Sequence, residues 1–143
     1  FAAGLFDRNG FEGMRRVIDV SGDGPNNQGR PVTDARDAAV ARGITINGLP
    51  LMTQGVDLRG GWGSIRNLDR YYSDCVVGGP GSFVIPVNDW EQFPQAVRRK
   101  LVLELAGLWP VKPKPRAVVP IAADGPPANC LVGEAQWQER WQR

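Results

Sequence analysis

The chain contains no histidine, which removes the commonest general base near neutral pH and the usual nitrogen ligand of zinc. Cysteine is scarce: Cys75 and Cys130 are the only two, too far apart in sequence for a CxxC pair. No apolar run reaches the roughly 18 residues that a membrane-spanning helix requires. Charge of one sign is not in excess either. The 17 basic residues face 15 acidic ones for a net charge of +2, whereas a dedicated nucleic-acid binder carries a strong basic surplus. What is abundant is glycine and proline, 18 and 12 of 143 residues, without the triplet period of collagen. With 42% hydrophobic and 22% charged residues, the composition supports one domain of ordinary size, with a real core and long, shaped loops.

The first residues, FAAGLFDRNGFEG, read as the tail of a helix with Phe1, Ala2, Leu5 and Phe6 on one face and Asn9-Gly10 as its stop. A helix that begins without a cap predicts an upstream part; a natural start with a frayed first turn is the alternative. Toward the other end, Pro110, Pro113, Pro115 and Pro120 forbid a helix and favour extended geometry. Trp109, Val111, Val118, Val119 and Ile121 make that stretch too apolar for a plain linker, so it is expected to lie against something. The final residues place Trp137 and Trp141 on one helical face. The predicted organisation is a compact part over residues 1–107, then a proline-rich extended arm with a short amphipathic end over 108–143.

Within the compact part, Val17, Ile18 and Val20 predict a short, buried, parallel strand ended by Gly22 and Gly24. Pro31 opens a helix whose inner face is marked by Val32, Ala35, Ala38 and Ala39, with Gly43 at the left-handed cap. ITINGLPL is a second strand, which completes a βαβ unit. Residues 53–63 are loop, and Ser64 is expected to cap a helix through Leu68, Tyr71 and Tyr72 toward Cys75. Phe83, Val84, Ile85 and Val87 predict a third strand, at a sheet edge because Pro86 lacks a donor. Asn88 and Glu91 suit a capping box for a helix to about Ala106, with Trp90, Phe93, Val97, Leu101 and Leu105 inward; Pro94 bends that helix or moves its start. Arg98, Arg99 and Lys100 read as a solvated basic face. The fold class is α/β, an open and mostly parallel sheet with flanking helices, in which function sits at the carboxyl ends of strands.

The densest chemistry lies at such an end, in Asp19-Val20-Ser21-Gly22-Asp23-Gly24-Pro25-Asn26-Asn27. A period of two places Asp19, Ser21 and Asp23 on one side. Hard oxygen ligands without histidine or thiolate suit Mg²⁺, Mn²⁺ or Ca²⁺. Asp23 is the main ligand candidate, with Asp19 and Ser21 as weaker ones. Gly24 permits the turn, and Asn26 and Asn27 would orient Asp23 or bond loop carbonyls. A plain Asx-turn closing a strand is the structural alternative, and a carboxylate within a strand, as at Asp19, needs a partner of its own. The pattern is neither a Walker loop nor a Rossmann fingerprint nor an EF-hand.

The stretches RRVIDVSGDGPNNQGRPVTDARDAAVARGITINGLPL and DRYYSDCVVGGPGSFVIPVNDWEQFPQAVRRKLVLELAG resemble the carboxyl half of the bacterial uncharacterised family similar to von Willebrand factor A domains, the DUF1194 type. The resemblance implies a von Willebrand factor A-like fold, of which this chain holds the carboxyl-terminal half. It also implies a divalent ion at the top of the sheet, held by a DxSxS loop, a threonine loop and an Asp-Gly loop. Asp23-Gly24 resembles the last of these, whose aspartate often reaches the ion through water. Asp19-Val20-Ser21 echoes the start of DxSxS, but Asp23 stands at the final serine position. No convincing upstream DxSxS or threonine loop is present, so the ion site is incomplete in this chain. The resemblance further implies an exported protein, periplasmic or secreted.

In an exported protein a Cys75–Cys130 disulfide is expected, pinning the arm to the domain; two free core thiols or a bond to another chain are the alternatives. Trp62, Tyr71 and Tyr72 are candidates for a binding edge, with core packing as the alternative for the tyrosines. Trp137 and Trp141 are candidates for docking a partner. The leading functional expectation is a noncatalytic, exported interaction module. Its ion-dependent adhesion-type site would be completed by upstream sequence, and its partner is a protein, with a separate amino-terminal fragment of the same domain as one candidate. A second is an accessory or scaffold subunit of a larger envelope complex, with the acidic loop purely structural. A third is hydrolysis assisted by a divalent ion, for which no general base is apparent.

Overall fold

A computed structural model describes residues 1–52, 65–106 and 126–142. Trp62 and the proline-rich stretch 108–125 lie outside the described residues, as do the predicted loop 53–63 and the cap Ser64. In chain order the elements are α1 (Ala2–Leu5), β1 (Arg16–Gly22), α2 (Val32–Val40), β2 (Ile44–Pro50), α3 (Leu68–Tyr71), α4 (Phe93–Ala106) and α5 (Val132–Trp141). A π-helical turn, Tyr72–Val76, continues α3, and a 3₁₀ turn, Trp90–Gln92, precedes α4.

The predicted βαβ unit is present. β1 and β2 pair in parallel, with Arg16 opposite Ile44, Asp19 opposite Asn47 and Gly22 opposite Pro50. Pro31 precedes α2 in extended geometry, and Gly43 closes it at φ 72° with its N–H on the Val40 carbonyl. Residues 83–87 run alongside β2 on its other edge. Gly48 donates to the Phe83 carbonyl, Ile85 to that of Gly48, Val87 to that of Pro50, and Met52 to that of Val87. This segment makes parallel bridges at Val84 and Val87 rather than a full strand, and Pro86 points to solvent. β2 is thus the centre of the sheet and is buried along its whole length. Each fully buried aliphatic side chain, such as Ile44 or Leu49, contributes about 1.5–3 kcal/mol.

Helices cover both faces. On one, Ile18, Val20, Ile44 and Ile46 meet Ala39 of α2 and Ala3 and Phe6 of the amino-terminal segment. The same side carries the largest cluster, Leu68, Tyr71, Tyr72, Cys75 and Val76. Arg36 of α2 ties it to the sheet layer, donating from Nη1 to the carbonyls of Asp74 and Cys75. On the opposite face, Leu49, Ile85 and Val87 pack against Phe93, Ala96 and Val97 of α4.

Three expectations change. β1 is only half buried, because among the described residues it pairs with β2 alone. Ala35 faces solvent, and the inner face of α2 runs through Arg36, Ala39 and Val40. The largest change is in α4. Pro94 moves the helix start to Phe93, where its missing N–H costs nothing, and the preceding turn is capped by Asp89, whose Oδ1 accepts from Glu91 N, not by Asn88. Beyond Val97 the buried side turns polar. Lys100 and Glu104 point at the sheet, while Trp90, Leu101 and Leu105 are exposed. The cause lies on the strands, where Asp19 and Asn47 present polar groups that only polar partners satisfy.

Candidate functional site

The carboxyl end of β1 distributes its three candidate ligands unequally. Asp19 is engaged beneath α4: Lys100 Nζ lies 2.6 Å from its Oδ2 and 3.4 Å from Glu104 Oε1. Asn47, 1% exposed, joins this cluster, donating from Nδ2 to Glu104 at 3.1 Å and, weakly, to Asp19 at 3.5 Å. Its Oδ1 accepts the Phe83 N–H. Burial alone would lower the Lys100 pKa, but Asp19 and Glu104 outweigh it and hold the ammonium above its ordinary value. Asp19 therefore has the partner its position demands. Ser21 and Asp23 remain exposed at the strand end.

Under that end lies Tyr72. A Cβ placed on Gly48 would stand 2.6 Å from its Cδ1, and one on Gly22 would stand 3.0 Å from its hydroxyl. The two glycines let the ring lie close against the sheet, with the hydroxyl beside Gly22 at the start of the acidic loop. Burial, then the charges of Tyr71 and Asp23, push the Tyr72 hydroxyl up to about 12. Tyr71 and Tyr72 are 1% and 3% exposed, so the expected binding edge is core; their rings meet edge to face.

The rest of the loop is held from below and above. Pro25 is buried. Asn26 donates its backbone N–H to the Tyr71 hydroxyl at 3.1 Å, and its Nδ2 to the Arg30 carbonyl and to Glu134 Oε1 of α5, the latter at 2.6 Å. Burial raises the Tyr71 pKa, the bond from Asn26 lowers it, and the nearby Glu134 charge raises it further. The second carboxylate oxygen, Glu134 Oε2, is buried with no hydrogen-bond partner among the described residues. Gly133 lies against the Asn26 carbonyl so tightly that an added Cβ would fall 2.0 Å from its oxygen. Gly24 and Asn27 complete the loop, the latter exposed.

Cys75 and Cys130 form a disulfide with a sequence separation of 55, and the described residues contain no free cysteine. Such a closure contributes about 2–4 kcal/mol. Beside it, Asp74 Oδ2 accepts the Ala128 N–H at 2.8 Å. The amphipathic end is therefore tied to the turn that carries Asp74 and Cys75. Trp137 and Trp141 do share a face of α5, with ring centroids 5.6 Å apart, and Trp141 is largely exposed. An open depression of about 340 Å³ is lined by Asp69, Arg70, Ser73, Asp74, Val84 and Pro86. Of its charges, Arg70 pairs with Asp74, Nε lying 3.4 Å from Oδ2.

Asp23 and Ser21 are hard oxygen donors and fit one edge of a Mg²⁺ or Ca²⁺ site. Among the described residues no group of three or more His, Cys, Asp or Glu side chains is arranged to hold a metal ion. No described helix is long and apolar enough to cross a membrane. Lys100, expected on a solvated basic face with Arg98 and Arg99, turns inward to Asp19 and Glu104 instead, whereas Asn47, Gly133 and Glu134 carried no expectation as site residues. The available signals lay in the strands: the polar Asp19 and Asn47, and Gly48, a mark of close approach.

These features define a parallel α/β domain with an exposed acidic loop at a strand end and a disulfide-anchored terminal helix. The chain belongs to the family described as protein of unknown function (DUF1194), whose model matches residues 1–109. No curated protein and no solved structure matches it.

Proposed function

We propose that this chain supplies the carboxyl half of a noncatalytic, exported, von Willebrand factor A-like interaction domain. Its divalent ion would rest on Asp23, directly or through water, with Ser21 beside it and further ligands from polypeptide outside this sequence. A partner's carboxylate would complete the coordination shell. One observation carries this reading: Asp23 is exposed at the carboxyl end of a strand that, among the described residues, pairs on one edge only. Surfaces on both sides of that strand agree with it. Met14 ahead of β1 is 92% exposed and Leu105 on α4 is 64% exposed, and Arg15 Nη1 donates to the Glu104 carbonyl between them. Apolar surface beside a strand edge with no described neighbour suits a further strand and helix.

The test is calorimetric titration of Mg²⁺ and Ca²⁺ into the chain joined to its upstream polypeptide, for the parent and for Asp23→Ala. The expected result is one ion per domain and at least a tenfold weaker affinity in Asp23→Ala. Equal affinities in both proteins refute the reading.

The accessory-subunit reading has its own support. Asn26 is held by Tyr71, Arg30 and Glu134, as a structural loop would be, and Trp137 and Trp141, packed edge to face, present an aromatic edge. Under that reading Trp141→Ala abolishes assembly while chelation and Asp23→Ala leave it intact.

A further inference from the structure

We propose that the Cys75–Cys130 disulfide is a redox-sensitive latch: it holds α5 against the loop that carries Asp23 and so sets how freely that loop moves. Cys130 lies in the turn that enters α5, two residues before its first residue Val132. Immediately beyond, Gly133 touches the Asn26 carbonyl and Glu134 grips the Asn26 side chain at 2.6 Å. The bond thus fixes the start of α5 to Cys75, and the close backbone contact and the hydrogen bond that follow it along the chain hold the loop. The carboxyl end of α5, beyond these contacts, is exposed, as Trp141 at 74% shows. A helix of 10 residues does not persist in water without tertiary support, so its docking depends on this narrow set of contacts. The disulfide replaces a tether spanning 55 residues by a single side chain, which raises the local concentration of α5 at the loop.

The two sulfurs are unequally placed. Cys75 is 0% exposed, whereas Cys130 is half-buried, so Cys130 Sγ is the end a reductant reaches. The reductant is a dithiol. One of its thiolates attacks Cys130 Sγ, the S–S bond breaks, and Cys75 leaves as a thiolate that takes up a proton. The second thiol then attacks the mixed disulfide and releases Cys130. The protein disulfide gains two electrons and two protons, and the dithiol departs as a disulfide. The sheet does not depend on this bond for its pairing, because the β1–β2 ladder and the bridges of residues 83–87 involve neither cysteine. Cys130 and α5 lie beyond the residues the family model matches, so the latch couples the matched domain to a segment outside it. The proposal concerns the freedom of the loop and stands whether or not the loop takes an ion.

Amide hydrogen exchange on the full chain tests it, before and after reduction by dithiothreitol. The reporters are the Asn26 amide, which donates to the Tyr71 hydroxyl, and the amides of β2 as an internal standard. Reduction is expected to speed exchange at Asn26 and across α5 at least tenfold more than in β2, whose exchange follows only the global stability the bond supplies. Unaltered exchange at Asn26 overturns the proposal. So does equal acceleration in β2, which would make the bond a staple of the whole fold. Gly133→Ala, kept oxidised, provides a second arm. It pushes α5 from the loop with the disulfide intact and is expected to reproduce the acceleration at Asn26; parent-like exchange there overturns the proposal as well.

Discussion

Lys100→Met removes the one cation that lies between two carboxylates under α4. In the parent, Lys100 Nζ sits 2.6 Å from Asp19 and 3.4 Å from Glu104, and its side chain is 14% exposed against 35% and 20% for the two acids. Removing one partner of a fully buried pair costs about 3–5 kcal/mol, because the other charge is left without compensation. Asp19 keeps part of its hydration and Glu104 keeps its bond from Asn47, so the expected cost here is about 2 kcal/mol. In urea, with a slope of about 1–2 kcal/mol per M for a chain of this size, the midpoint falls by roughly 1–2 M with an unchanged slope. Adding Asp19→Asn to Lys100→Met removes one stranded charge and recovers about half of the loss. The pair should therefore show a coupling of about 1 kcal/mol in a double-mutant cycle. A midpoint unmoved by Lys100→Met, or strictly additive substitutions, would refute the polar inner face of α4.

The remaining predictions concern the tyrosine beneath the acidic loop and the outer face of α4. Gly48→Ala drives a Cβ to 2.6 Å from Tyr72 Cδ1 and is expected to cost about 1–3 kcal/mol by urea unfolding, with Tyr72→Leu partly relieving it; independent effects of the two changes would argue against the contact. The folded-state pKa of Tyr72, about 12, lies above the ordinary 10.0, so its contribution to stability is intact below about pH 10 and is lost as pH rises toward 12. That loss approaches about 2–3 kcal/mol, and Tyr72→Phe removes it. Lys100, also raised, loses its share in alkali too, so the decisive comparison is between parent and Tyr72→Phe, and identical pH profiles would sink the assignment. Leu101→Glu with Leu105→Glu changes stability by less than about 1 kcal/mol if these side chains face water, whereas unfolding of the double variant would return them to the core.

What could be read from the chain was local. The βαβ unit is written in β-branched runs at 17–20 and 44–46, a proline before α2 and a glycine after it, and each of these acts over a few residues. The orientation of α4 was not legible because its own pattern misleads. Val97, Leu101 and Leu105 recur at helical spacing and read as a stripe to be buried, yet the sheet beneath offers Asp19 and Asn47 in register with each other. Desolvating those two groups against leucine would cost more than exposing two leucines, so the helix turns Lys100 and Glu104 inward. The signal was present in the strands, not in the helix. The burial of β1 failed for a related reason. Its apolar residues resemble those of a central strand, while the position of a strand in its sheet depends on neighbours that its own sequence does not encode.

The acidic loop shows where local reading ends. Asp23, Gly24 and the two asparagines mark a turn rich in oxygen, and their place after a parallel strand gives them functional weight. Yet what holds the loop comes from afar: Tyr71 stands 45 residues from Asn26 and Glu134 stands 108 residues away. Only chain topology brings these groups together. Burial also separates Asn26 from the aspartate. Asn26 is held by Tyr71, Arg30 and Glu134, whereas Asp23 is exposed and close enough for its charge to raise the Tyr72 pKa. Asn26→Ala should therefore loosen the loop and α5 together, while Asp23→Asn should leave both packed and alter only ion or partner binding. If instead Asp23→Asn unfolds the loop to the same degree, the aspartate belongs to the turn itself, and the adhesion-type reading loses its main ligand.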